Sequence, residues 1–346
     1  MLKNTLKYFL CLISAVSLVS CSQTNGSSAT DNVCTRDVFA MDTYMSMKAY
    51  GDNAETALSK AENLIVRLEN ELSVTNPESC ISKLNSANGS VVEVSRSAAD
   101  IIKKAVEIGN ATNGALDITI YPLLKEWGFT TENYKIPDKD TIARLLDKTG
   151  YKDIILDDLN VTIPEDYCID LGALAKGYTS DKIMDTMKEN GVGCGIVSLG
   201  GNVQAIGSKP DGSLWKVAVR DPFSPDTDMC ILEIADKAVI TSGNYERFFI
   251  GDDGMQYFHI IDPSDGFPAD NGLVSVTVIG ESGLECDALS TALFVLGNGK
   301  AQDYWYKHKG FDIVLVTDDK RIIYSEGLSD SFTNISNMKA EVLVRD

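Results

Sequence analysis

The sequence predicts an α+β fold whose sheet is mainly antiparallel. Helical and extended patterns are mixed along the chain, without the strict strand–helix alternation that is typical of a parallel sheet. Between residues 196 and 279, several extended segments follow one another with only short turns between them. Apolar residues make up 44% of the 346 residues, which is enough for a substantial core in one large domain or two smaller ones.

Helical periodicity is clearest in the first half of the chain. From Asn53 to Leu72, apolar side chains recur at the spacing of one helix face. Ser95 or Ser97 can cap a second helix that runs to about residue 111. We also predict, in order, one strand at 38–50 that contains Met41, a loop at 73–85, a short helix at 139–148, a strand pair within 154–168, and a helix that opens at 169–178 and runs to about residue 190.

The second half is rich in strand patterns. Gly200-Gly201 divides the segment 196–207 into two strands. A helix from about residue 286 to 296 follows a strand at 273–279. The other predicted strands lie at 215–220, 231–234 and 238–241, with two or three more between 311 and 344.

The N-terminus has the pattern of an export signal rather than of a folded segment. Two lysines precede an apolar run at 9–19 that is too short to span a bilayer, and Leu18-Val19-Ser20-Cys21 fits a bacterial lipobox. We predict a signal peptide (1–20), a lipidated Cys21 with a flexible tether (21–35) and one domain (36–346). An ordinary secretory peptide is the alternative. The lipoprotein hypothesis places the chain on the extracytoplasmic, periplasmic side of the bacterial membrane and leaves inner and outer membrane both open.

The charge balance excludes one class of partner and favours another. The formal net charge is −19, and no basic patch with interleaved aromatic residues is present. Binding of nucleic acid by phosphate neutralisation is therefore not expected. An acidic chain does suit a protein that recruits divalent cations together with an anionic ligand.

Six cysteines lie outside the predicted signal and lipid site, at 34, 80, 168, 194, 230 and 286. They form neither a CxxC pair nor a Cys/His zinc spacing. An exported protein can pair some of them as disulfides, and small buried thiols are the alternative.

The segment 257–296 carries the residues best suited to chemistry. His259, one of only two histidines, lies in an apolar run before a turn. Asp287 and Thr291 are four residues apart near the start of a predicted helix, so their oxygens face the same way and offer part of a site for a hard cation. A histidine in an apolar run can equally be structural, and the Asp/Thr pair can equally be a helix-terminal charge and an ordinary hydroxyl. Together the three residues suggest phosphate chemistry.

A second candidate segment is Ile169–Tyr178, which opens a helix with glycine and small residues. Such an entry lets the backbone approach a ligand, and the helix N-terminus favours an anion. Lys176 can add a point charge for a phosphate. The segment lacks a Walker A or GxGxxG pattern, so a tight helix entry with a solvated lysine is the alternative. Tyr245 and Arg247, just before the histidine segment, are further candidates for lining a site.

Eight blocks of the chain, in this order, resemble the FAD:protein FMN transferase family, the ApbE-type flavin transferases. They read MDTYMS, SVTNPESCISKLN, GALDITIYPLLKEWGF, IDLGALAKGY, VSLGGNVQAIG, ITSGNY, YFHIIDPSDG and CDALSTALFVLG, and extend from Met41 to about Gly297. The resemblance implies an ApbE-like, T-fold-related architecture. It implies an enzyme that takes FAD as substrate, uses Mg²⁺ and transfers FMN to a threonine or serine of a target protein, releasing AMP. Acceptors in the family are flavin-carrying subunits of membrane electron-transfer or Na⁺-translocating complexes.

The resemblance also implies a role for individual residues. His259 matches the proposed general base, and the metal ligands would be Asp287, Thr291 and the backbone oxygen of Ala173. The positions that match FAD-contacting residues are Met41, Ala115, Leu116, Asp117, Asp170, Lys176 and Ile261. Thr75 stands where many members have an aromatic residue that stacks on the flavin. Either another aromatic side chain stacks on the flavin here, or the flavin is held more weakly.

Three other functions remain open at this point. The protein could hydrolyse FAD to FMN and AMP, store FAD as a periplasmic binding lipoprotein, or act as a lipoprotein adhesin or scaffold. A base and a metal site favour turnover over storage, because storage requires no base. The glycine-rich blocks have no purpose in a scaffold.

Overall fold

The computed structural model describes residues 32–345. The predicted signal peptide, Cys21 and the first part of the predicted tether lie outside these residues. The helices in the described part are α1 (Ala54–Leu72), α2 (Cys80–Asn85), α3 (Arg96–Ala111), α4 (Tyr121–Glu126), α5 (Lys139–Leu146), α6 (Gly172–Glu189) and α7 (Gly283–Lys307). None of the helices within residues 32–345 is both long and apolar enough to cross a membrane.

The strands account for most of the second half of the chain. They are β1 (Val33–Ala40), β2 (Thr43–Tyr50), β3 (Val92–Glu93), β4 (Ile155–Asp157), β5 (Asn160–Thr162), β6 (Gly195–Leu199), β7 (Asn202–Ile206), β8 (Trp215–Asp221), β9 (Ser224–Ile234), β10 (Ala238–Gly243), β11 (Phe248–Ile250), β12 (Gln256–Phe258), β13 (Leu273–Gly280), β14 (Phe311–Thr317), β15 (Arg321–Ser325), β16 (Phe332–Asn334) and β17 (Lys339–Leu343). β1 therefore begins inside the segment predicted as tether.

A nine-stranded sheet forms the centre of the molecule. Its order is β1-β2-β6-β7-β10-β13-β14-β15-β17, and every neighbouring pair is antiparallel except β15 and β17. The smaller sheets are β16-β9-β8, β11-β12 and β3-β5-β4. The predicted α+β fold with a mainly antiparallel sheet is confirmed.

The central sheet is covered on both faces, which explains the unbroken apolar pattern of its middle strands. On β14, Ile313 and Leu315 belong to the core cluster that contains side chains of α3, α6 and α7, while Val314 and Val316 belong to the cluster that contains side chains of the β16-β9-β8 sheet. All four side chains are fully buried. Each such side chain contributes about 1.5–3 kcal/mol relative to an exposed position.

The segment 38–50 is a hairpin, so the prediction of a single strand was wrong. β1 and β2 pair from Val33↔Tyr50 to Ala40↔Thr43, and Met41 and Asp42 form the two-residue turn. Both turn residues have positive φ, at 50° and 56°, which is the backbone that closes a tight hairpin. The main-chain N–H of Met41 donates to Glu69 Oε1 at 2.7 Å, which ties the turn to α1.

Most predicted helices are confirmed to within a few residues. Ser95, rather than Ser97, caps α3, because its hydroxyl accepts from the N–H of Ala98 at 3.2 Å. The segment predicted as a loop at 73–85 ends in the helix α2, whose cap is Ser79. Between 311 and 344 the chain forms four strands, β14 to β17, rather than two or three.

Helix α7 is longer than predicted and is interrupted at Gly297, where φ is 77° and ψ is 169°. The side chain of Asn271 donates to the carbonyl oxygens of Phe294 at 2.8 Å and Val295 at 2.9 Å. These bonds satisfy carbonyls at the end of the first segment. The predicted helix at 286–296 corresponds to this segment, and a second one continues to Lys307.

Candidate active site

Two glycines let α6 and α7 approach each other closely near their N-terminal ends. A Cβ atom on Gly177 would lie 2.2 Å from the carbonyl oxygen of Gly283, and a Cβ on Gly283 would lie 2.6 Å from the carbonyl oxygen of Gly177. These distances are shorter than any van der Waals contact, so no larger residue fits without moving the helices apart. The contact sets the beginning of α6, with Ala173 and Lys176, against the first turns of α7.

A carboxylate from α6 caps α7. Asp181 accepts from the N–H groups of Gly283 at 2.6 Å and Leu284 at 3.0 Å, from the hydroxyl of Ser282 at 2.9 Å and from Gln204 Nε2 at 2.8 Å. A negative charge at this end of a helix is favourable, because the free N–H groups there carry partial positive charge. The cap fixes the first turn of α7 and thereby the position of the residues that follow it.

Asp287 lies one turn into α7 and is buried, with its carboxylate directed at α6. Its Oδ2 accepts from the N–H of Gly177 at 2.7 Å. In a regular helix that N–H points at the carbonyl oxygen of Ala173, so the bond places the carboxylate beside this carbonyl. Burial raises the pKa of Asp287, and the positive charge of Lys176 is the strongest effect that opposes the rise.

Thr291 follows Asp287 by one turn on the same helix face and is half-buried. Its Oγ1 lies 3.3 Å from the hydroxyl of Ser242 on β10. No group of three His, Cys, Asp or Glu side chains in residues 32–345 could hold a metal ion. A site at Asp287, Thr291 and the Ala173 carbonyl would thus offer few protein oxygens and depend on water and ligand oxygens. That donor set fits Mg²⁺, which usually keeps several waters.

His259 follows β12, and one carbonyl fixes its orientation. The main-chain N–H of His259 donates to the carbonyl oxygen of Arg247 at 3.0 Å, and Nδ1 lies 3.3 Å from the same oxygen. A carbonyl can only accept, so the neutral ring carries its proton on Nδ1 and has a lone pair on Nε2. The ring of Phe129 meets the imidazole edge-on at 6.5 Å between centroids.

The surroundings of His259 favour the neutral ring. Burial, together with the positive charges of Arg247 and Lys176, lowers its pKa to about 4 against the opposing effect of the hydrogen bond to Arg247. The imidazole is therefore unprotonated near neutral pH, as a general base must be before it takes a proton.

Lys176 and Arg247 supply positive charge at the same place. In residues 32–345 neither side chain forms a salt bridge or a hydrogen bond. Both charges act on Asp170. Burial raises the pKa of this carboxyl; the hydrogen bond that it accepts from the Gly172 N–H, at 2.8 Å, is the strongest opposing effect, followed by the charges of Lys176 and Arg247. Lys176 thus lies near Asp170, Asp287 and His259 together, with its charge available for an anion.

The sequence and fold agree with one family. The model of the ApbE family matches residues 41–315. The chain belongs to the ApbE family. The curated FAD:protein FMN transferases of Klebsiella pneumoniae and Treponema pallidum are 34% and 32% identical to it, covering 81% and 79% of this chain and 87% and 80% of their own length.

Solved ApbE structures share the architecture. The ApbE protein of Thermotoga maritima matches with a TM-score of 0.80 and 32% identity, covering 86% of this chain and 98% of that one. The flavin transferase ApbE of Vibrio cholerae matches with a TM-score of 0.76 and 25% identity, covering 87% and 96%. The predicted family is confirmed.

In this ApbE family member the block Ala115–Asp117 is buried. Asp117 Oδ1 accepts from the N–H and the hydroxyl of Thr119 at 2.8 and 2.6 Å, and Oδ2 accepts from the N–H of Tyr151 at 3.0 Å. These bonds order the local backbone, so the carboxylate has a structural role whatever the block binds. The main-chain N–H of Asp170 donates to the carbonyl of Ile118 at 2.9 Å, which connects this block to the entrance of α6.

The other predicted FAD-contacting residues lie in different settings. Met41 contacts α6, with its sulfur 3.8 Å from the hydroxyl of Thr179. Thr75 is exposed, and it forms hydrogen bonds with Ser73 in its own loop. The side chain of Ile261 is only 2% exposed and packs in the cluster around Trp127. The structure thus gives Ile261 a core position rather than an exposed apolar surface.

Sequence reasoning missed residues whose roles depend on tertiary contact. Gly177 and Gly283 lie 106 positions apart, and neither has a local pattern that predicts their contact. Asp181 reads as an ordinary polar residue within a helix. Arg247 precedes the histidine segment in the sequence, but only the hairpin β11–β12 brings its carbonyl to His259.

Proposed function

We propose that this protein transfers FMN from FAD to a threonine or serine hydroxyl of a target protein, forms a phosphoester and releases AMP. The observation that carries the proposal is the convergence at Lys176. The positive charge of Lys176 lowers the pKa of Asp287 on α7, of Asp170 at the entrance of α6 and of the neutral His259. The name FAD:protein FMN transferase, which the curated relatives bear, supports the same activity.

The proposed reaction is a phosphoryl-type displacement at the FMN phosphorus. Nε2 of His259 takes the proton of the acceptor hydroxyl while the hydroxyl oxygen bonds to that phosphorus. The bond from phosphorus to the bridging oxygen breaks, and its electron pair leaves on the phosphate of AMP. The carbonyl of Arg247 holds the ring in the required tautomer throughout.

The oxygens of Asp287, Thr291 and Ala173 would hold Mg²⁺. When bound there, the ion would supply positive charge that stabilises the pyrophosphate and the departing AMP. Asp287 gives the anionic ligand, and its bond to Gly177 keeps it beside the Ala173 carbonyl. Lys176 would hold a phosphate from the same side.

The site of action and the partner follow from the same proposal. We infer a lipid anchor at Cys21 that holds the domain on the extracytoplasmic face of the membrane. The acceptor would be a flavin-carrying subunit of a membrane electron-transfer or Na⁺-translocating complex. The lipobox supports the first inference, and the family supports the second.

FAD hydrolysis is the second candidate activity. His259 is half-buried and Arg247 is exposed, so water can reach the base when no acceptor is bound. Water in place of the hydroxyl would give free FMN and AMP by the same displacement. Storage of FAD alone would not require a histidine held in one tautomer.

The deciding experiment uses residues 22–346 with FAD, Mg²⁺ and a domain that carries a flavinylation-type threonine. Flavin fluorescence on the denatured acceptor, lost with EDTA and with His259→Ala, is the expected result. Free FMN and AMP without labelled acceptor would make the protein chiefly an FAD pyrophosphatase. Intact FAD, with an acceptor that another transferase labels, would leave only flavin binding.

A further inference from the structure

Arg247 lies in the turn between β10 and β11, with its backbone joined to the proposed base. Its carbonyl oxygen accepts the main-chain N–H of His259 at 3.0 Å and lies 3.3 Å from Nδ1. The start of the arginine side chain is therefore held at a fixed distance from the imidazole. Any residue at position 247 would provide this carbonyl, so the backbone contact does not explain why an arginine stands there.

The guanidinium itself is exposed and has no salt bridge or hydrogen bond within residues 32–345. Four other arginines, Arg36, Arg67, Arg96 and Arg321, each form a salt bridge with a carboxylate. The exposed Arg144 and Arg220 form none within residues 32–345, so what distinguishes Arg247 is its place beside the proposed base. The charge of Arg247 acts on Asp170 and on His259, the same groups that Lys176 affects. Its charge therefore acts on the groups of the site, and no carboxylate within the described residues pairs with it.

We propose that Arg247 is a catalytic residue that contacts the phosphoryl group under attack. This inference rests on the proposed function. In the displacement the hydroxyl oxygen is bonded to phosphorus and hydrogen-bonded to His259 at once, so that phosphorus must lie close to the base. A cation connected to the base through one carbonyl then lies beside the non-bridging oxygens. Lys176, on the side of Asp287, would hold the other phosphate.

The chemistry of the side chain fits this position. A guanidinium offers a planar fork of N–H donors that matches two oxygens of a phosphate, whereas a lysine offers a point charge. Negative charge that builds up on the phosphoryl oxygens would be met by donors that are already in place. In free enzyme the same charge disfavours an imidazolium. A bound pyrophosphate would offset that charge and make His259 more basic when its substrate is present.

The test compares Arg247→Ala and Arg247→Lys with wild type, using the full chain in detergent with FAD and Mg²⁺. Arg96→Ala is the matched control, because it removes the same charge from an exposed arginine that is paired with Asp158. FAD affinity is measured separately by flavin fluorescence with EDTA present, so that turnover does not interfere. The rate of FAD cleavage is followed with and without acceptor, across pH.

We expect Arg247→Ala to lower the rate constant of FAD cleavage by about 10- to 100-fold, the range of a lost charge-assisted hydrogen bond. FAD affinity should fall less, by about 3- to 10-fold, because the contact strengthens in the transition state. Arg247→Lys should recover part of the rate. The acidic limb of kcat/KM should move to higher pH in Arg247→Ala, since the neighbouring positive charge is gone and Lys176 alone remains.

A wild-type rate in Arg247→Ala would overturn the inference. The inference would also be overturned if both Arg247 variants lost the same amount of activity, kept the wild-type acidic limb and had a lower melting temperature. That combination would mean that Arg247 stabilises the fold. A similar loss in Arg96→Ala would reduce the effect to net charge. If the wild-type protein neither transfers FMN nor cleaves FAD, the proposed function fails independently of Arg247. In that case, FAD binding that is weakened in Arg247→Ala but not in Arg96→Ala would still support the phosphate contact. Unchanged FAD binding in Arg247→Ala would overturn the phosphate contact.

Discussion

The contact between α6 and α7 makes Gly177→Ala the most informative stability mutation. The added Cβ would lie 2.2 Å from the carbonyl oxygen of Gly283 and 2.6 Å from Cβ of Asp287. Reaching ordinary contact requires a separation of roughly 1 Å at a buried helix interface, and such overpacking costs about 1–3 kcal/mol. The same shift stretches the hydrogen bond from the Gly177 N–H to Asp287, which costs about 1.5–3 kcal/mol for a charged acceptor.

Alanine is the better helix former by about 1 kcal/mol, which offsets part of this cost. The net destabilisation is therefore about 1.5–5 kcal/mol, and the melting temperature should fall by on the order of 3–10 °C. Gly299→Ala is the matched control in α7, because a Cβ there meets nothing within 4 Å. It should leave the melting temperature unchanged or slightly raised.

Calorimetry of both variants measures the effect, and a titration of activity with Mg²⁺ shows whether the displaced Asp287 binds the ion less well. If Gly177→Ala and Gly299→Ala had the same melting temperature, α6 and α7 would have room for a side chain that the structure does not show. The account of how Asp287 is positioned would then be wrong.

Three further predictions concern single side chains. In kcat/KM, which reports the free enzyme, activity should fall only as pH drops toward about 4, where His259 becomes protonated; an acidic limb near 6.5 would contradict the described surroundings. Asp287→Asn should fold, because its amide oxygen can still accept the hydrogen bond from Gly177. It should need at least about tenfold more Mg²⁺ for half-maximal rate. An unchanged Mg²⁺ titration would show that Asp287 is not a metal ligand. Asp117→Ala should lower the free energy of unfolding by about 2–4 kcal/mol, because the N–H groups of Thr119 and Tyr151 lose their acceptor; denaturant unfolding measures this, and FAD affinity that fell at wild-type stability would instead give Asp117 a binding role.

The sequence predicted elements whose determinants are local. The strands of the central sheet follow from apolar runs, and α1 follows from one periodic face. The pairing of Asp287 with Thr291 could be predicted because residues four apart on a helix share a face. The helix α2 was missed because six residues provide less than two turns of periodicity.

Other features depend on contacts that no local pattern records. Met41-Asp42 is not a typical turn dipeptide, and α1 helps to hold it through Glu69. The helix entry at 169–178 was predicted, but its closeness to Asp287 depends on two distant glycines. The pKa of His259 likewise depends on Arg247 and Lys176, which belong to different elements. Tertiary packing, rather than propensity, decided each of these points.

The break at Gly297 divides α7 into segments with different neighbours. The first segment carries Asp287 and Thr291, while the second is anchored by Trp305. The indole N–H of Trp305 donates to the carbonyl of Phe311 at 3.1 Å, and its ring centroid lies 3.8 Å from the guanidinium of Arg345. Asn271 already satisfies carbonyls at the end of the first segment. We expect the second segment to open as a separate cooperative unit, with faster amide hydrogen exchange, while the turn that bears Asp287 and Thr291 stays closed. Substitutions at exposed positions of the second segment would then leave the proposed chemistry intact.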